Sequence, residues 1–312
     1  MKAEWVGVAA NADSGRGRGR ERVERLVSSL GRMGLDAVVA WTPDERAALV
    51  AASDDDPSCR CLVAAGGDGT VAALINERPA RPITVLPAGT ENLFARHFRV
   101  RPSPEDVAAT IALCQVMPID LGQTGDRRFA LMAGIGFDAD VVTRHHAARL
   151  GKAGNMRPTH RAAYVEPVLR ASFGYKFPAL SITTNDGESF VGTTAFLFNL
   201  PRYALNLPIA PSAVGDDGLL DLVVFRDAGP LHALHYLWMV FRGLHLRRDG
   251  VSHRRVSQVC VASAEAVPVQ LDGDPGGWVE AHSSAPPWSV QVLPSALSVM
   301  VPEVYARTTA IA

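Results

Sequence analysis

The chain has 312 residues, of which 47% are hydrophobic and 20% are charged, and its formal net charge is -1. This composition is typical of a globular protein with room for two domains, and the balanced charge excludes a bulk basic surface for nucleic acid. No apolar run reaches the roughly 18 residues that a membrane span needs, and the N-terminal residues contain no hydrophobic stretch of signal-peptide length. We therefore expect a cytoplasmic protein that binds no nucleic acid.

The first 120 residues alternate strand-like and helix-like segments. Short apolar runs predict strands, and apolar residues spaced three and four apart predict helices. The predicted elements are strand 5–10, helix 20–33, strand 37–41, helix 45–52, strand 61–65, helix 71–76, strand 83–86 and helix 92–98. This rhythm indicates a parallel sheet covered by helices on both faces. Ligands bind such sheets at the carboxyl ends of the strands.

Beyond residue 120 the pattern changes to short strands separated by turn residues. Predicted strands are 129–133, 180–184, 194–199, 220–225, 256–262, 267–271 and 288–292, with helical insertions at 139–173 and 230–247. Closely spaced strands of this kind indicate an antiparallel sandwich or barrel. We expect one domain at 1–120 and another at 121–312, with a last strand near 297–302 that belongs to either.

Three loops after predicted strands of the first domain contain glycine with a hydroxyl or carboxylate residue. The first, NADSG, offers Asn11, Ser14 and Gly15 just before a helix, and free N–H groups at a helix start suit an anion. The alternative for this loop is a flexible arginine-rich turn. No Walker-type GxxxxGK[ST] motif is present.

The second loop, GGDGT, combines Gly66, Gly67 and Gly69 with Asp68 and Thr70. Glycines let backbone amides approach a phosphate, but the Asp68 carboxylate would repel a bare phosphate. An aspartate is compatible with a phosphate-binding loop if Mg²⁺ lies between the carboxylate and the phosphate, since this ion is held by carboxylates and phosphate oxygens. The alternative is a tight turn with an aspartate at a helix N-cap.

The third loop lies in LPAGTENLFARHF, where Gly89, Thr90, Glu91 and Asn92 follow a strand and open a helix. Because the carboxyl ends of adjacent parallel strands meet at one edge of a sheet, the three loops are expected to line one cleft.

These loops belong to six stretches that occur in a characteristic order. They are NADSG, GGDGT, PAGTENLFAR, GIGFDADVV, IAPSAVGDDGLLDLVVF and QLDGDP. The chain resembles the diacylglycerol kinase catalytic-domain family, which includes bacterial lipid kinases and sphingosine kinases and has NAD kinases as distant relatives. The resemblance implies an α/β Rossmann-like nucleotide domain plus an all-β sandwich domain with helical insertions, with the active site between them.

The resemblance also implies the reaction and the residues that carry it. An ATP- and Mg²⁺-dependent enzyme of this family transfers the γ-phosphoryl group to a lipid hydroxyl. Asp68 would hold the nucleotide's metal, and Asp272 would accept the proton of the attacking hydroxyl, although DG is also a common hairpin turn. Nucleotide contacts are implied for Asn11, Ser14, Thr42, Gly67, Asp68, Gly69, Thr70, Gly89, Thr90 and Asn92, with Gly15, Gly66 and Glu91 in the same loops.

A second metal site is implied at the acidic turn before strand 220–225. The family places a structural magnesium there, and Asp217 with the carbonyl of Leu219 occupies the ligand positions. Clustered oxygen atoms suit such a hard cation. The alternative is a solvated acidic turn.

Several departures from the family pattern leave the acceptor lipid open. Leu93 stands where an aspartate is common, so Glu91 is a candidate replacement, and Asp274 stands where glutamate is usual. The stretch PRYALNLP replaces a glycine-rich strip. Two alternatives therefore stay open: a non-catalytic regulator that binds lipid or nucleotide, and an NAD kinase.

The stretch 229–250 predicts an amphipathic helix with arginines at and beyond its end. An apolar face with basic flanks is typical of helices that lie on a membrane surface, and the alternative is an ordinary helix packed on the sandwich. We expect a lipid substrate and peripheral contact with the inner face of the membrane. The sequence leaves the oligomeric state open, including a homodimer.

Overall fold

The computed structural model describes residues 3–12, 14–149, 171, 174–201, 203–281 and 287–305. The described residues divide into two compact units. One unit consists of the residues up to Ile119 together with those from Ser295 onward, and the other is the continuous stretch Asp120–Pro294.

The first unit is built on a parallel sheet whose strands alternate with helices. The strand order is β2-β1-β3-β4, and each neighbouring pair is parallel. The elements are β1 (Trp5–Ala10), α1 (Gly19–Arg32), β2 (Asp36–Ala40), α2 (Pro43–Asp55), β3 (Cys59–Gly66), α3 (Asp68–Asn76), β4 (Ile83–Pro87), α4 (Leu93–His97) and α5 (Pro104–Leu113).

Burial along β3 explains why this sheet is parallel and covered on both faces. Leu62, Val63 and Ala64 are consecutive, so their side chains point to opposite faces, yet none has any exposed surface. Only a strand with packed layers on both sides can bury such a continuous apolar run.

Capping residues set the starts of the helices in this unit. Thr42 and Glu45 form a capping box at the start of α2, with Pro43 in the first turn. At the start of α5, the Ser103 side chain accepts the Asp106 N–H. The sequence analysis did not predict α5, although the Ser-Pro pair is a start signal. Helix α3 begins at Asp68, three residues before the predicted start at residue 71, because Gly67 is its N-cap.

The second unit consists of antiparallel strands with two helices among its described residues. One sheet has the order β12-β11-β10-β7-β14-β15. In the other set of strands, β13 pairs with β16 on one side and with β8 on the other, and β8 also pairs with β9. The elements are β5 (Val116–Thr124), β6 (Arg127–Phe129), β7 (Met132–Gly136), α6 (Phe137–Arg149), β8 (Leu180–Thr184), β9 (Ser189–Gly192), β10 (Thr194–Phe198), β11 (Leu220–Phe225), α7 (Pro230–Phe241), β12 (Val251–Val256), β13 (Gln258–Ser263), β14 (Val267–Leu271), β15 (Asp274–Val279) and β16 (Trp288–Met300).

The core of this unit lies between the two sets of strands. Ile135, Leu197 and Leu222 from the first sheet pack in one cluster with Ile182 and Val259 from the other strands. This sandwich-like packing and the parallel sheet of the first unit confirm the predicted fold class. Of the first predicted helical insertion, residues 150–170 and 172–173 lie outside the described part of the chain.

Strand β16 belongs to both units. Its residues up to Pro294 lie in the second unit and those from Ser295 in the first, where Val299 pairs in parallel with Ile83. Within the described ranges, no helix is both long and apolar enough to cross a membrane.

Candidate active site

The predicted nucleotide loops lie at the carboxyl ends of the parallel strands. Asn11 follows β1, Thr42 follows β2 after Trp41, GGDGT spans the end of β3, and Gly89 follows β4. The Asn11 N–H donates to the Ala65 carbonyl at 3.0 Å, so the first loop leaves the sheet beside the second. This is the edge where parallel sheets bind ligands.

The second and third loops are in backbone contact. A Cβ added at Gly89 would lie 2.6 Å from the Gly67 Cα, and one added at Gly67 would lie 3.1 Å from the Gly89 Cα. Gly66 has a different neighbour, since its Cβ would lie 2.1 Å from Oγ1 of Thr70. The glycines therefore allow the loops to pack on each other and on the first turn of α3.

Asp68 connects the second loop to the start of α4. Its Oδ2 accepts the Leu93 N–H at 3.0 Å and its Oδ1 accepts the Phe94 N–H at 3.1 Å. These N–H groups have no partner within the helix, so Asp68 caps α4 from a distant loop. Burial raises the pKa of Asp68, and the two N–H donors oppose this rise.

Asn92 closes the third loop on itself. Its Oδ1 accepts the Gly89 N–H and its Nδ2 donates to the Gly89 carbonyl, both at 2.8 Å. Asn92 has a φ of +49°, a conformation that asparagine tolerates better than most residues. The side chain thus braces the turn that carries Thr90 and Glu91.

The first loop and Thr42 also make contacts that hold their own backbone. Ser14 Oγ donates to the Asn11 carbonyl at 2.8 Å, and Gly15 lies in the short 3-10 turn Ser14–Gly17. The Thr42 hydroxyl accepts the Glu45 N–H. The predicted residues are thus brought to one sheet edge, while their role toward a nucleotide stays a prediction.

Sequence reasoning missed an aromatic side chain at this edge. The Arg20 guanidinium carbon lies 4.5 Å from the centroid of the Trp41 ring, a cation–π distance. The apolar pattern predicted Trp41 as the last residue of strand 37–41, because that pattern does not distinguish a strand residue from a loop residue at this position.

Asp68 and Glu91 fit the magnesium that accompanies a nucleotide. Two of the roughly four lone-pair positions of the Asp68 carboxylate accept backbone N–H groups. The negative charge of Glu91 adds to the rise in the pKa of Asp68, after the larger effect of burial. Mg²⁺ is usually held by one or two carboxylates together with phosphate oxygens, and Asp68 and Glu91 would supply such ligands.

Asp272 lies on the hairpin between β14 and β15 in the second unit. Its Oδ2 accepts the Ala130 N–H at 2.8 Å, and its Oδ1 accepts the N–H groups of Leu131 at 2.8 Å and Met132 at 2.9 Å. Its φ is +51°. The backbone N–H groups at the start of β7 and just before it therefore fix the direction of this carboxylate, and a hairpin turn alone does not require such contacts.

A buried carboxyl group beside this hairpin was not predicted as a site residue. Asp138 accepts a hydrogen bond from the Tyr203 hydroxyl and another from Gln270 Nε2, the latter at 3.0 Å. Gln270 Oε1 in turn accepts the Gly273 N–H at 2.8 Å. The signal was present, since Asp138 lies in GIGFDADVV and Gln270 in QLDGDP, but their contact joins residues more than a hundred positions apart.

Asp138 should make the stability of the protein depend on pH. Burial raises the pKa of Asp138, against the hydrogen bonds from Tyr203 and Gln270. The folded state therefore keeps this proton to higher pH than the unfolded chain, and the free energy of unfolding falls as the pH rises from the ordinary aspartate range through the raised pKa. The fall amounts to about 1.4 kcal/mol for each unit by which the pKa of Asp138 is raised. We expect Asp138→Asn to remove it.

Urea unfolding of the wild type and Asp138→Asn over a series of pH values measures this difference. Asp186→Asn is the control, because a hydrogen bond from Thr184 lowers the pKa of Asp186 and gives a dependence of opposite sign. Parallel curves for the wild type and Asp138→Asn would contradict the assignment.

At the acidic turn before β11, the carboxylates of Asp217 and Asp221 are paired with protein groups. The Asp217 carboxylate accepts the Leu219 N–H at 3.0 Å and also pairs with Arg255. Asp221 is paired with His253 at 2.6 Å. No group of three or more His, Cys, Asp or Glu side chains suited to a metal occurs in the part of the chain that the structure describes. The metal role of Asp217 and Leu219 stays a prediction.

Comparisons with known proteins identify the family to which each part of the chain is similar. Residues 6–124 match the family described as diacylglycerol kinase catalytic domain, and residues 132–301 match the YegS C-terminal NAD kinase beta sandwich-like domain. A diacylglycerol kinase of Mycobacterium tuberculosis (strain ATCC 25618 / H37Rv) is 28% identical over 305 residues, which cover 92% of this chain and 94% of the relative. A diacylglycerol kinase of Bacillus subtilis (strain 168) is 27% identical, covering 69% and 71%.

Two crystal structures of proteins from Bacillus anthracis str. Sterne have the same fold. The first has a TM-score of 0.74 at 20% identity and covers 98% of this chain and 97% of its own. The second, described as a diacylglycerol kinase, has a TM-score of 0.67 at 16% identity, covering 98% and 99%. At these identities the likeness shows the fold alone. From the two family matches, the chain belongs to the diacylglycerol kinase catalytic-domain family with a YegS-like C-terminal domain.

Proposed function

We propose that the chain is an ATP- and Mg²⁺-dependent lipid kinase that transfers the γ-phosphoryl group of ATP to a hydroxyl of diacylglycerol or a related lipid. Membership of the family implies kinase activity and the use of ATP. The observation that carries the proposal is the backbone contact between Gly67 and Gly89. It sets two glycine-threonine loops side by side at the edge of the sheet where ligands bind.

The proposal gives the first unit the task of holding the nucleotide. The loops at 11–15, 66–70 and 89–92 would bind phosphate oxygens through backbone N–H groups other than those of Asn11, Ser14, Thr70 and Gly89, which donate to protein acceptors. The hydroxyls of Thr70 and Thr90 would join them, as would that of Ser14 once it turns from the Asn11 carbonyl. Thr42 would lie nearer the nucleoside. Asp68 and Glu91 would hold Mg²⁺, which neutralises charge on the transferring phosphoryl group. Bracing of the loops by Asp68 and Asn92 supports this assignment, since preorganised donors lose less entropy on binding.

Asp272 would orient the lipid hydroxyl and accept its proton. Phosphoryl transfer passes through a loose transition state that asks for alignment more than for a strong base. A carboxylate held by three backbone N–H groups suits that task, because its direction is fixed before the substrate arrives. We further propose that the protein works in the cytoplasm at the inner face of the membrane, where such an acceptor is found.

Transfer of ³²P from γ-labelled ATP tests the function. The acceptors are diacylglycerol, sphingosine, ceramide, undecaprenol and extracted bacterial lipids, each with Mg²⁺ or with a chelator, and NAD serves as a decoy acceptor. We expect label in one lipid, dependence on Mg²⁺, and strong loss of label with Asp68→Asn. Asp44→Asn, which removes an exposed carboxylate from the first turn of α2, is the matched control.

Other outcomes of the same assay decide between the alternatives. Label in NAD and in no lipid would identify an NAD kinase. A folded protein that binds ATP but labels nothing would identify a regulator and would connect the loss of activity with Leu93, which stands where the family commonly has an aspartate. Sedimentation of the same preparation reports whether the protein is a monomer or a homodimer.

A further inference from the structure

Helix α7 exposes a stripe of large apolar side chains to solvent. Leu231 is 80% exposed, Leu234 65%, Trp238 52% and Phe241 76%, and Leu237 is 47% exposed. Leu234, Trp238 and Phe241 follow Leu231 by three, seven and ten residues, so these four side chains lie on one face of the helix. Apolar stripes of surface helices normally face a core, and an exposed one marks an interaction site.

The opposite face anchors α7 to the sandwich. Tyr236 and Val240 are 6% and 4% exposed, and the Tyr236 hydroxyl donates to Asp227 Oδ2 at 2.6 Å. The Tyr236 ring packs edge-on against Phe225 at 4.8 Å between centroids. The helix is therefore fixed with its stripe of large apolar side chains toward solvent, whereas a surface helix normally turns such a stripe toward the core.

The charges within the helix and its C-terminal flank are basic. Residues 229–248 contain no aspartate or glutamate, and Arg242 and Arg247 are exposed. Of the two neighbouring carboxylates, Asp227 is engaged by Tyr236, His232 and Arg248, and Asp249 is exposed just beyond the segment. The Arg242 guanidinium carbon lies 5.7 Å from the centroid of the Trp238 ring, so one cation lies directly beside the apolar stripe. Apolar and aromatic residues bordered by arginine are typical of helices that lie in the headgroup region of a membrane.

We propose that the α7 face, defined as Leu231, Leu234, Leu237, Trp238 and Phe241 with Arg242 and Arg247, docks on the surface of an anionic lipid bilayer. The apolar side chains enter the acyl boundary, and the arginines bind lipid phosphates. A second copy of the chain is a poorer occupant. Its own 229–248 segment contains no carboxylate to pair with the arginines, whereas an anionic bilayer supplies lipid phosphates.

Vesicle binding without ATP or acceptor substrate tests the proposal. Vesicles are phosphatidylcholine alone, or phosphatidylcholine with about 30 mol % phosphatidylglycerol to supply negative surface charge. We expect the full-length wild type to co-sediment at least about tenfold more tightly with the anionic vesicles, and Leu234→Ser/Phe241→Ser to lose about tenfold or more. Arg242→Gln/Arg247→Gln should weaken only the binding to anionic vesicles.

Val191→Ser is the control, since Val191 is a 64% exposed apolar residue on β9; this variant should bind as the wild type does. Emission of Trp238 should shift to the blue on binding, and Trp238→Phe should abolish the shift. Unchanged binding in Leu234→Ser/Phe241→Ser would overturn the proposal. So would conversion of a wild-type dimer to a monomer by the same substitutions, which would identify a second copy as the occupant.

The test separates this surface from the kinase proposal. Phosphoryl transfer to detergent-dispersed diacylglycerol needs no bilayer, so Leu234→Ser/Phe241→Ser should keep that activity while losing activity on vesicles. If the protein binds vesicles through α7 but labels no lipid, the result would support the docking surface and contradict the proposed kinase activity.

Discussion

Replacing Gly89 by alanine is expected to lower kcat/KM for ATP by about 100-fold, the usual cost of displacing a binding group by about an ångström. The new Cβ would lie 2.6 Å from the Gly67 Cα and 2.8 Å from Oδ1 of Asn92. The first neighbour is backbone and cannot rotate away, so the two loops must separate. Separation also disturbs the hydrogen bonds between Asn92 and Gly89.

Steady-state kinetics and nucleotide titration of Gly89→Ala measure this effect, and thermal unfolding reports whether the fold is kept. Gly31→Ala is the matched control, because a Cβ at Gly31 meets no atom within 4 Å and lies in helix α1. That variant should keep its activity and gain a little stability, since alanine favours helix. Wild-type kinetics in Gly89→Ala would show that nucleotide binding does not depend on the contact of the two loops.

Substitution of Asp272 is expected to have the largest effect on the second unit. Asp272→Ala leaves the N–H groups of Ala130, Leu131 and Met132 without their acceptor, and each buried orphan costs about 1–3 kcal/mol. Alanine also tolerates the φ of +51° poorly. We expect a loss of about 3 kcal/mol or more in the free energy of unfolding, together with loss of activity.

Asp272→Asn separates the structural effect from the chemical one. Asparagine tolerates a positive φ and keeps one oxygen acceptor, so this variant should be less destabilised than Asp272→Ala. It lacks the carboxylate, and we expect its kcat to fall by about 10²–10⁴-fold. Asp216→Ala, an exposed carboxylate in a turn of the same unit, is the control for both measurements. A stable Asp272→Asn with wild-type kcat would remove Asp272 from the proposed chemistry.

Periodicity was sufficient for the parallel sheet but not for every helix. Apolar runs located β1, β3 and β4 because burial on both faces leaves a continuous pattern. The start of α3 was missed, since Gly67 acts as N-cap through its backbone and carries no side-chain signal. In the second unit the sandwich followed from closely spaced strands, while β5, β9, β12 and β15 were not predicted, and the predicted strand 129–133 is divided between β6 and β7. In β9 and β12, exposed positions dilute the pattern.

The candidate site was predictable as a set of residues but not as a set of contacts. The sequence places Asp68 in a glycine loop, yet its partners Leu93 and Phe94 belong to the first turn of α4. Asp272 likewise needs the backbone at Ala130, which only the fold brings near. A single sequence does not show which distant positions are in contact. The hydrogen bonds that hold each carboxylate could therefore not be predicted.

The path of β16 has a consequence for the order in which the protein is made. Val299 pairs with Ile83, the Val301 N–H donates to the Gln115 carbonyl at 2.9 Å, and the Tyr305 ring packs on Phe98. A ribosome delivers these residues after all of Asp120–Pro294, so β4 waits as an open edge throughout most of translation. Open edges invite pairing with other chains, and we therefore expect the first unit of a nascent chain to need protection until its own C-terminal segment emerges.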